Sequence, residues 1–271
     1  MTTSSFSDSD SGRMVVASAP AKVILFGEHA INRGQPALVA GVGLRTRCTA
    51  RLQGAGYILR SGAEEAHYGS DELLALKASI DRMRRAKDHE AIREQARSGF
   101  FTPVAYALAH LLAEAPIPPL AISWETEIPL GSGLGSGAAA SAAMILAASR
   151  AAGLDLPPAE RARLAWQGDV VAHGGVASGL DSGGCTYGGV VSYSVAGGWT
   201  PLTPPVPLTI VIADTGVRAR TADVNASVAR WLAADPARME AFEAIGRVSA
   251  AGTEALAAGD LVRLGALMNE N

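Results

Sequence analysis

The stretch IPLGSGLGSGAAASAAMILAASRAAG, which begins at Ile128, constrains the fold more than any other part of the chain. Before it, every second residue from Leu120 to Trp124 is large and apolar, which predicts a strand with one buried face. After it, an alanine-rich run of high helix propensity predicts a helix that begins near Ser136. The glycines between them permit a left-handed backbone and let amide groups approach an anion closely. The helix N-terminus adds free amides and a dipole, so the stretch predicts a phosphate-binding loop.

The same stretch admits other interpretations. A flexible glycine turn would explain the glycines, but not the order of strand, loop and helix. A Walker A loop is excluded because no Lys-Ser or Lys-Thr pair follows the glycines. A dinucleotide-binding fingerprint fits better, since Gly133, Gly135 and Ala138 match G-x-G-x-x-A and Asp155 follows about twenty residues later. Asp155 precedes two prolines, however, where a loop entering a helix is expected instead of the end of a second strand.

Composition restricts the class of protein. A chain of 271 residues with 48% hydrophobic residues can bury the core of one large or two modest domains. A net charge of −3 argues against bulk binding of nucleic acid or anionic membrane and favours small-molecule chemistry. Cys48 and Cys185 provide neither a disulfide framework nor a metal cluster, which fits a cytoplasmic protein. The pattern predicts no membrane span and no signal peptide. Residues 1–13 form a Ser/Asp-rich tail that is predicted to be disordered.

Periodicity and turn residues predict the remaining elements. They are two strands, one ending before Pro20 and one over residues 23–26; a strand over 44–52 with one solvated face; a hairpin in 54–70; solvent-facing helices in 71–98; a helix from Thr102; a helix from Pro157; a glycine-dense loop before a strand at 190–195; a Gly/Pro-rich domain boundary at 196–207; a buried strand at 208–214; and a helix from Thr221 followed by two more.

Two polar positions near the N-terminus are candidates for function. Lys22 lies among apolar neighbours, so it is either a solvated edge residue or a positioned charge. Glu28 and His29 follow a predicted buried strand, where functional side chains are often placed on a rigid scaffold. A structural hydrogen bond between them is the simpler alternative.

Two further groups follow the predicted phosphate-binding loop. Asp169 and His173 are four residues apart on a predicted helix and share one face. They form either a surface contact or a ligand set for a metal or phosphate. Ser178 and Asp181 lie in the glycine-dense loop, where a carboxylate either caps a turn or acts as a general base.

Several of these segments resemble the GHMP small-molecule kinases. PAKVILFGEHAINRGQPALV is similar to the first family motif, in the form Gly-Glu-His-Ala found in the branch that acts on mevalonate. PLGSGLGSGAAASAA is similar to the second, ATP-binding motif, and residues 167–181 and 214–221 match later family segments. The resemblance spans most of residues 18–271. It implies an α+β fold of two domains, a ribosomal-protein-S5-like α/β domain over residues 14–200 and an incomplete ferredoxin-like domain over 201–271.

The resemblance also implies cofactors and roles. ATP and Mg²⁺ would be the cofactors, and the substrate hydroxyl would be that of mevalonate, in isoprenoid precursor synthesis. Asp181 would take the proton of this hydroxyl, with Lys22 beside it to lower its pKa and stabilise the nucleophile. Asp169 and Ser136 would hold the Mg²⁺. The substrate-binding residues would be Glu28, His29, Ser178 and Thr221. The ATP-binding residues would be Pro129, Gly131, Ser132, Gly133, Leu134, Gly135, Ser136, Gly137 and Ala138.

The sequence departs from the family pattern at three places. Gly137 stands where a second serine is usual, the segment between His173 and Asp181 is one residue longer than in the animal enzymes, and the sequence reaches Asn271 without the third, C-terminal glycine-rich motif. The expectation is therefore a C-terminally truncated product. Two alternatives stay open: a family member that acts on phosphomevalonate, which would need extra basic residues around its substrate, and a non-catalytic ligand sensor. A homodimer is compatible with either.

Overall fold

The computed structural model describes residues 13–213, 216 and 221–271. The predicted tail, apart from Arg13, lies outside these residues, as does most of the segment at 214–221. In chain order the elements are β1 (Met14–Phe26), a 3-10 turn (Ala30–Arg33), β2 (Ala37–Leu52), β3 (Tyr57–Ser61), β4 (Glu64–Tyr68), α1 (Ser70–Arg85), α2 (His89–Arg97), α3 (Thr102–Glu114), β5 (Leu120–Thr126), α4 (Ser136–Ala151), α5 (Pro158–Ala172), α6 (Leu180–Tyr187), β6 (Val190–Ser194), β7 (Gly198–Leu202), α7 (Thr221–Ala233), a 3-10 turn (Pro236–Arg238), α8 (Met239–Ala258) and α9 (Leu261–Glu270).

A seven-stranded sheet organises the molecule. Its order is β4-β3-β5-β2-β6-β7, with β1 paired to β2. The 16 residues of β2 carry β1 along one edge, and β5 and β6 in succession along the other. Only β3 and β5 run parallel among the described pairs. As predicted, β2 buries Cys48, Ala50 and Leu52 and exposes Arg47 and Arg51, whereas Leu44, in the same alternation, is 40% exposed.

Helices cover both faces of this sheet. The largest core packs α3, α4 and α5 against β1, β2, β3 and β5. At the other end of β2, Val39 contacts α6 on the side of the sheet that α4 covers. Its neighbours Leu38 and Ala40 face the opposite side of the sheet and pack against α8 and α9. The result is an α+β fold whose C-terminal helices rest on the back of the sheet. In the described part of the chain, no helix combines the length and apolarity needed to cross a membrane.

The predicted strands of the N-terminal segment form one continuous strand. β1 runs through Pro20 and pairs with β2 on both sides of it, with a shift in register between Pro20 and Ala21. A proline has no amide hydrogen to donate to the neighbouring strand. The shift in register accommodates this missing hydrogen bond, so the strand continues past Pro20. Lys22 is therefore held in the middle of a paired strand.

A helix replaces the second half of the predicted glycine-dense loop: Ser178 lies in a loop, as predicted, but Asp181 lies on α6, so the prediction was wrong for Asp181. α6 contains Gly183 and Gly184, and glycine disfavours helix by about 1 kcal/mol per residue. Close packing explains their presence, because a Cβ on Gly183 would lie 2.1 Å from the indole of Trp199 and a Cβ on Gly184 would lie 2.9 Å from Val39. Tertiary contact thus overrides propensity here.

The end of the sheet also differs from the prediction. The boundary drawn after residue 200 falls inside β7, which pairs with β6. Residues 208–213 do not form the predicted buried strand, and Val211 is 91% exposed. An apolar run becomes a strand only where a partner strand satisfies its backbone, and the described residues place none beside it.

Helix α1 is only partly solvent-facing. Arg84 donates hydrogen bonds to Tyr106 on α3 and to Gln167 on α5, both at 2.8 Å. The Tyr106 hydroxyl donates in turn to Asp81, at 2.5 Å. The charged face of α1 is therefore tied into the interior, and it holds α5 in place next to Asp169.

Candidate active site

The predicted phosphate-binding loop connects β5 to α4. Gly135 precedes the first residue of α4 and has φ of 74°, which few other residues adopt. The loop lies directly on Lys22: the Lys22 amide donates to the Leu134 carbonyl at 3.0 Å, and a Cβ on Gly135 would be 2.8 Å from Lys22 Cγ. Gly133 and Gly137 have open space where a Cβ would project. The loop therefore has one packed side and one side open to a ligand.

The other loop residues complete this arrangement. The Ser132 hydroxyl donates to the Pro129 carbonyl at 2.7 Å and so stabilises the turn. Ala138 is buried on α4, and Ser136 stands in the first turn of that helix. The 16-residue helix α4 thus presents its N-terminus to the open side of the loop.

Lys22 and Asp181 meet beneath the loop. Lys22 Nζ lies 3.0 Å from Asp181 Oδ1, so the predicted contact between these distant residues is present. Lys22 is buried, whereas the Asp181 side chain is 27% exposed and reaches the cleft beside it. Burial alone would lower the pKa of Lys22, but the charge and hydrogen bond of Asp181 raise it above its usual value. The pair is therefore a buried ammonium that supports a partly accessible carboxylate.

Asp169 stands behind this pair on α5. The helix approaches α4 so closely that a Cβ on Gly168 would lie 2.4 Å from Ser141 Oγ. Asp169 is buried, and its Oδ2 makes no hydrogen bond within the described part of the chain. Burial raises the pKa of Asp169 above its usual value, and the charge of Asp181 adds to this effect. A buried carboxylate oxygen without a donor is a suitable ligand for a hard cation.

His173 takes a different contact from the one its spacing suggests. Its Nδ1 lies 2.8 Å from the backbone carbonyl of Asp169, not from the carboxylate. That bond fixes Nδ1 as the donor. The imidazole belongs to the wall of the neighbouring cleft.

A small cleft joins three of the predicted substrate-binding residues to the Lys22–Asp181 pair. Its volume is about 50 Å³, and Glu28, His29, Ser178 and Asp181 line it together with Asp169. Glu28 and His29 enter it from the tight turn after β1, where His29 has φ of 60°. Ser178 uses its hydroxyl to cap the Leu180 amide at 3.2 Å. The side chain of Thr221, the fourth predicted residue, lies outside the described residues.

A larger apolar cavity lies on the other side of Asp169. It measures about 180 Å³ and is lined by Ser136, Gly137 and Asp169 at one end and by aromatic and aliphatic side chains at the other. Those apolar residues are Phe100, Phe101, Val104, Trp124 and Leu130. The sequence marked Trp124 as buried, but periodicity carries no information about a cavity. Asn32, which lines the small cleft, was missed for the same reason.

Comparison with known proteins identifies the family. Residues 102–189 match the N-terminal domain of GHMP kinases. The mevalonate kinase of Pyrococcus horikoshii is 34% identical over 266 residues, which cover 96% of this chain and 76% of the relative. That of Aeropyrum pernix is 32% identical over 260 residues, covering 95% and 75%. The crystal structure of the L. major enzyme in complex with R-mevalonate superposes with a TM-score of 0.65 at 24% identity, covering 96% and 74%.

The similarity to these relatives covers almost the whole of this chain, so it extends well beyond the motifs. The GHMP kinase fold and the ATP-dependent kinase class predicted from the motifs are confirmed. The chain belongs to the mevalonate kinase family of GHMP kinases.

Proposed function

We propose that this enzyme transfers the terminal phosphoryl group of ATP to the 5-hydroxyl of mevalonate. The observation that carries the proposal is the Lys22–Asp181 pair, 3.0 Å apart, between the glycine loop and the cleft that holds Glu28 and His29. Phosphoryl transfer requires mainly alignment and charge neutralisation, and both are available at this point. The proposed substrate rests on the sequence relatives, which are mevalonate kinases.

Each residue of the site has one task in this reaction. The N-terminus of α4 and the amides of residues 131–137 bind the phosphates. The apolar cavity beside Trp124 receives the base of ATP. Asp181 accepts the proton of the substrate hydroxyl, and Lys22 stabilises the negative charge that develops on the oxygen.

Asp169 and Ser136 are the candidate ligands of Mg²⁺, which would neutralise phosphate charge when bound. Both line the apolar cavity next to the glycine loop, and the buried Oδ2 of Asp169 fits a cation. The described residues contain no group of three or more His, Cys, Asp or Glu side chains suited to a metal. The protein would therefore supply few ligands, and water and phosphate the rest, as is usual for Mg²⁺.

Asp169→Asn should raise the Mg²⁺ concentration needed for half-maximal turnover, because the amide loses the charge that attracts the cation. Initial rates measured over a Mg²⁺ series check this. Asp155→Asn is the matched control, since Asp155 is exposed and lies at the far end of α4. The same Mg²⁺ dependence in both variants would show that Asp169 is not a ligand.

The cleft itself argues against the nearest rival. Among its described lining residues there is neither Lys nor Arg, whereas Glu28, Asp169 and Asp181 are acidic. The extra basic residues that phosphomevalonate would need are therefore not part of this lining. The second alternative, a non-catalytic sensor, would not need a paired Lys22 and Asp181, so the presence of this pair argues against it. The two free, buried cysteines support the cytoplasmic setting proposed from composition.

A coupled assay of ADP release tests the proposed substrate. Mevalonate, phosphomevalonate and galactose are compared at equal concentrations, and the product is identified by mass spectrometry. We expect turnover with mevalonate and a product that carries one added phosphate. Preference for phosphomevalonate or galactose, or ATP binding with no turnover of any of them, would contradict the proposal.

A further inference from the structure

Three consecutive backbone carbonyls just before Asp181 each accept a hydrogen bond from a different aromatic side chain. We call these side chains, Trp166, Tyr193 and Trp199, the aromatic clamp. The bonds are Trp166 Nε1 to Ala177 O at 2.9 Å, Tyr193 Oη to Ser178 O at 2.6 Å, and Trp199 Nε1 to Gly179 O at 2.9 Å.

The clamp is itself built on rigid elements. Trp166 stands on α5, the helix that carries Asp169. Tyr193 and Trp199 are direct partners across β6 and β7, and their rings stack with centroids 5.3 Å apart. The indole of Trp199 also supports α6, because Gly183 lies so close that a Cβ there would be 2.1 Å from the ring. The segment before Asp181 is therefore held from a helix and from a hairpin.

The segment before Asp181 needs this support because its glycine-rich sequence does little to fix its own backbone conformation. Gly174, Gly175 and Gly179 all have positive φ, and glycines lose more backbone freedom on folding than other residues. Asp181 stands in the first turn of α6, which has only eight residues. The position of its carboxylate therefore follows the position of residues 177–179.

We propose that the aromatic clamp positions Asp181, so that Tyr193 and Trp199 control the rate of phosphoryl transfer without contacting ATP or the substrate hydroxyl. The inference rests on the proposed function, since it assumes that Asp181 is the base. A displacement of about 1 Å at a reacting group can cost about 10²-fold in rate. The clamp residues are thus positioning residues.

Trp199→Phe and Tyr193→Phe remove the donor and keep a ring. Each should lower kcat by about 10-fold to about 100-fold, because the segment loses a bond to the β6–β7 hairpin and Asp181 can then move with it. ATP affinity, measured by calorimetry, should stay within about twofold of the parent, since residues 131–137 are not altered.

Tyr57→Phe is the matched control. The Tyr57 hydroxyl also donates to a buried backbone carbonyl, that of Ile117 at 2.8 Å, but it lies at the opposite end of the sheet. Its loss should reduce stability to a similar extent and leave kcat unchanged. This comparison separates positioning from a general loss of stability, which urea unfolding measures in all variants.

The deciding measurement is kcat for each clamp variant in the parent and in an Asp181→Asn background. If the clamp acts through Asp181, Trp199→Phe and Tyr193→Phe lower kcat in the parent and have little further effect without the carboxylate. Equal losses of kcat in both backgrounds would overturn the positioning role but not the proposed function. The same holds if the clamp variants have the same kcat as Tyr57→Phe. A near-parental kcat for Asp181→Asn would instead remove the proposed function, and the positioning role with it.

Discussion

The side chain of Lys22 is confined on two sides by glycines. A Cβ on Gly135 would lie 2.8 Å from Lys22 Cγ, and one on Gly184 would lie 3.4 Å from Lys22 Cβ. The ammonium therefore has little freedom other than to face Asp181. A charge that is already in place costs no reorganisation when the reaction develops its own charge.

Gly135→Val should lower both kcat and ATP affinity, because the new side chain strains the left-handed backbone and displaces Lys22 from Asp181. Gly133 has φ of 78°, so valine strains the backbone there as well and should weaken ATP binding; the effect on kcat should be smaller, since a Cβ at this position would not contact Lys22. Calorimetry with ATP and steady-state kinetics separate the two effects. Gly153→Val is the control, with φ of 79° at the opposite end of α4. Equal kcat in the Gly133 and Gly135 variants would contradict this account.

At the residue scale, the sequence predicted which residues lie close together better than it predicted their environment. The motifs indicated Lys22, Asp169 and Asp181, and the structure brings them together. Whether Lys22 is solvated or buried could not be predicted, because its neighbours Gly135 and Asp181 come from distant parts of the chain. The backbone contact of His173 was missed because helical spacing predicts which side chains share a face, not which atoms bond.

At the scale of elements, α3 carries a largely buried histidine, His110, in the network that ties α1 to α5. His110 packs edge-on against Tyr106, and its Nε2 lies 3.7 Å from Asp81 Oδ1. Burial lowers the pKa of His110 from its usual 6.5 to about 4, and the charge of Lys77 adds to this effect. The folded protein therefore favours neutral His110.

Stability should fall as the pH drops from about 6.5 to about 4, because the unfolded chain binds a proton at His110 before the folded chain does. His110→Gln should flatten that part of the curve of unfolding free energy against pH. Urea unfolding across this range provides the measurement. His67→Gln is the control, because the His67 side chain is 63% exposed. An unchanged acid slope in His110→Gln would contradict the assignment.

The elements that the sequence predicted well are those with strong periodicity or clear end signals. Helix α4 begins at Ser136, as its alanine run and preceding glycines indicated, and β5 and the hairpin of β3 and β4 also match. Helix α6 was missed because its glycines signal a loop, and only the indole of Trp199 and the side chain of Val39 account for them. Those contacts are long-range and leave no local pattern.

At the scale of the whole molecule, α8 fixes the C-terminal helices to β1, the strand that leads into the small cleft beside Lys22 and Asp181. A Cβ on Gly252 would lie 2.7 Å from the ring of Phe26, which precedes Gly27 and Glu28. The Gly27 amide also donates to the side chain of Asn271 at 3.1 Å. The distant helices therefore support one wall of the site.

Gly252→Val should destabilise the protein by about 1–3 kcal/mol through overpacking against Phe26. It should also raise the KM for substrate more than the Kd for ATP, since Phe26 adjoins the turn that carries Glu28. Urea unfolding and steady-state kinetics measure the two effects. Gly265→Val on α9 is the matched control, because a Cβ there meets nothing within 4 Å. Equal stability losses in both variants would mean that helix propensity alone is responsible.

The account as a whole depends on Lys22 and Asp181 acting as one unit, and kcat for Asp181→Asn, Lys22→Met and the double variant tests this most directly. Loss of the base should lower kcat by about 10²-fold or more while ATP affinity stays near the parent value. The double variant should lose less than the two single losses combined, since either change disables the same proton transfer. A near-parental kcat for Asp181→Asn, or strictly additive losses, would contradict the mechanism.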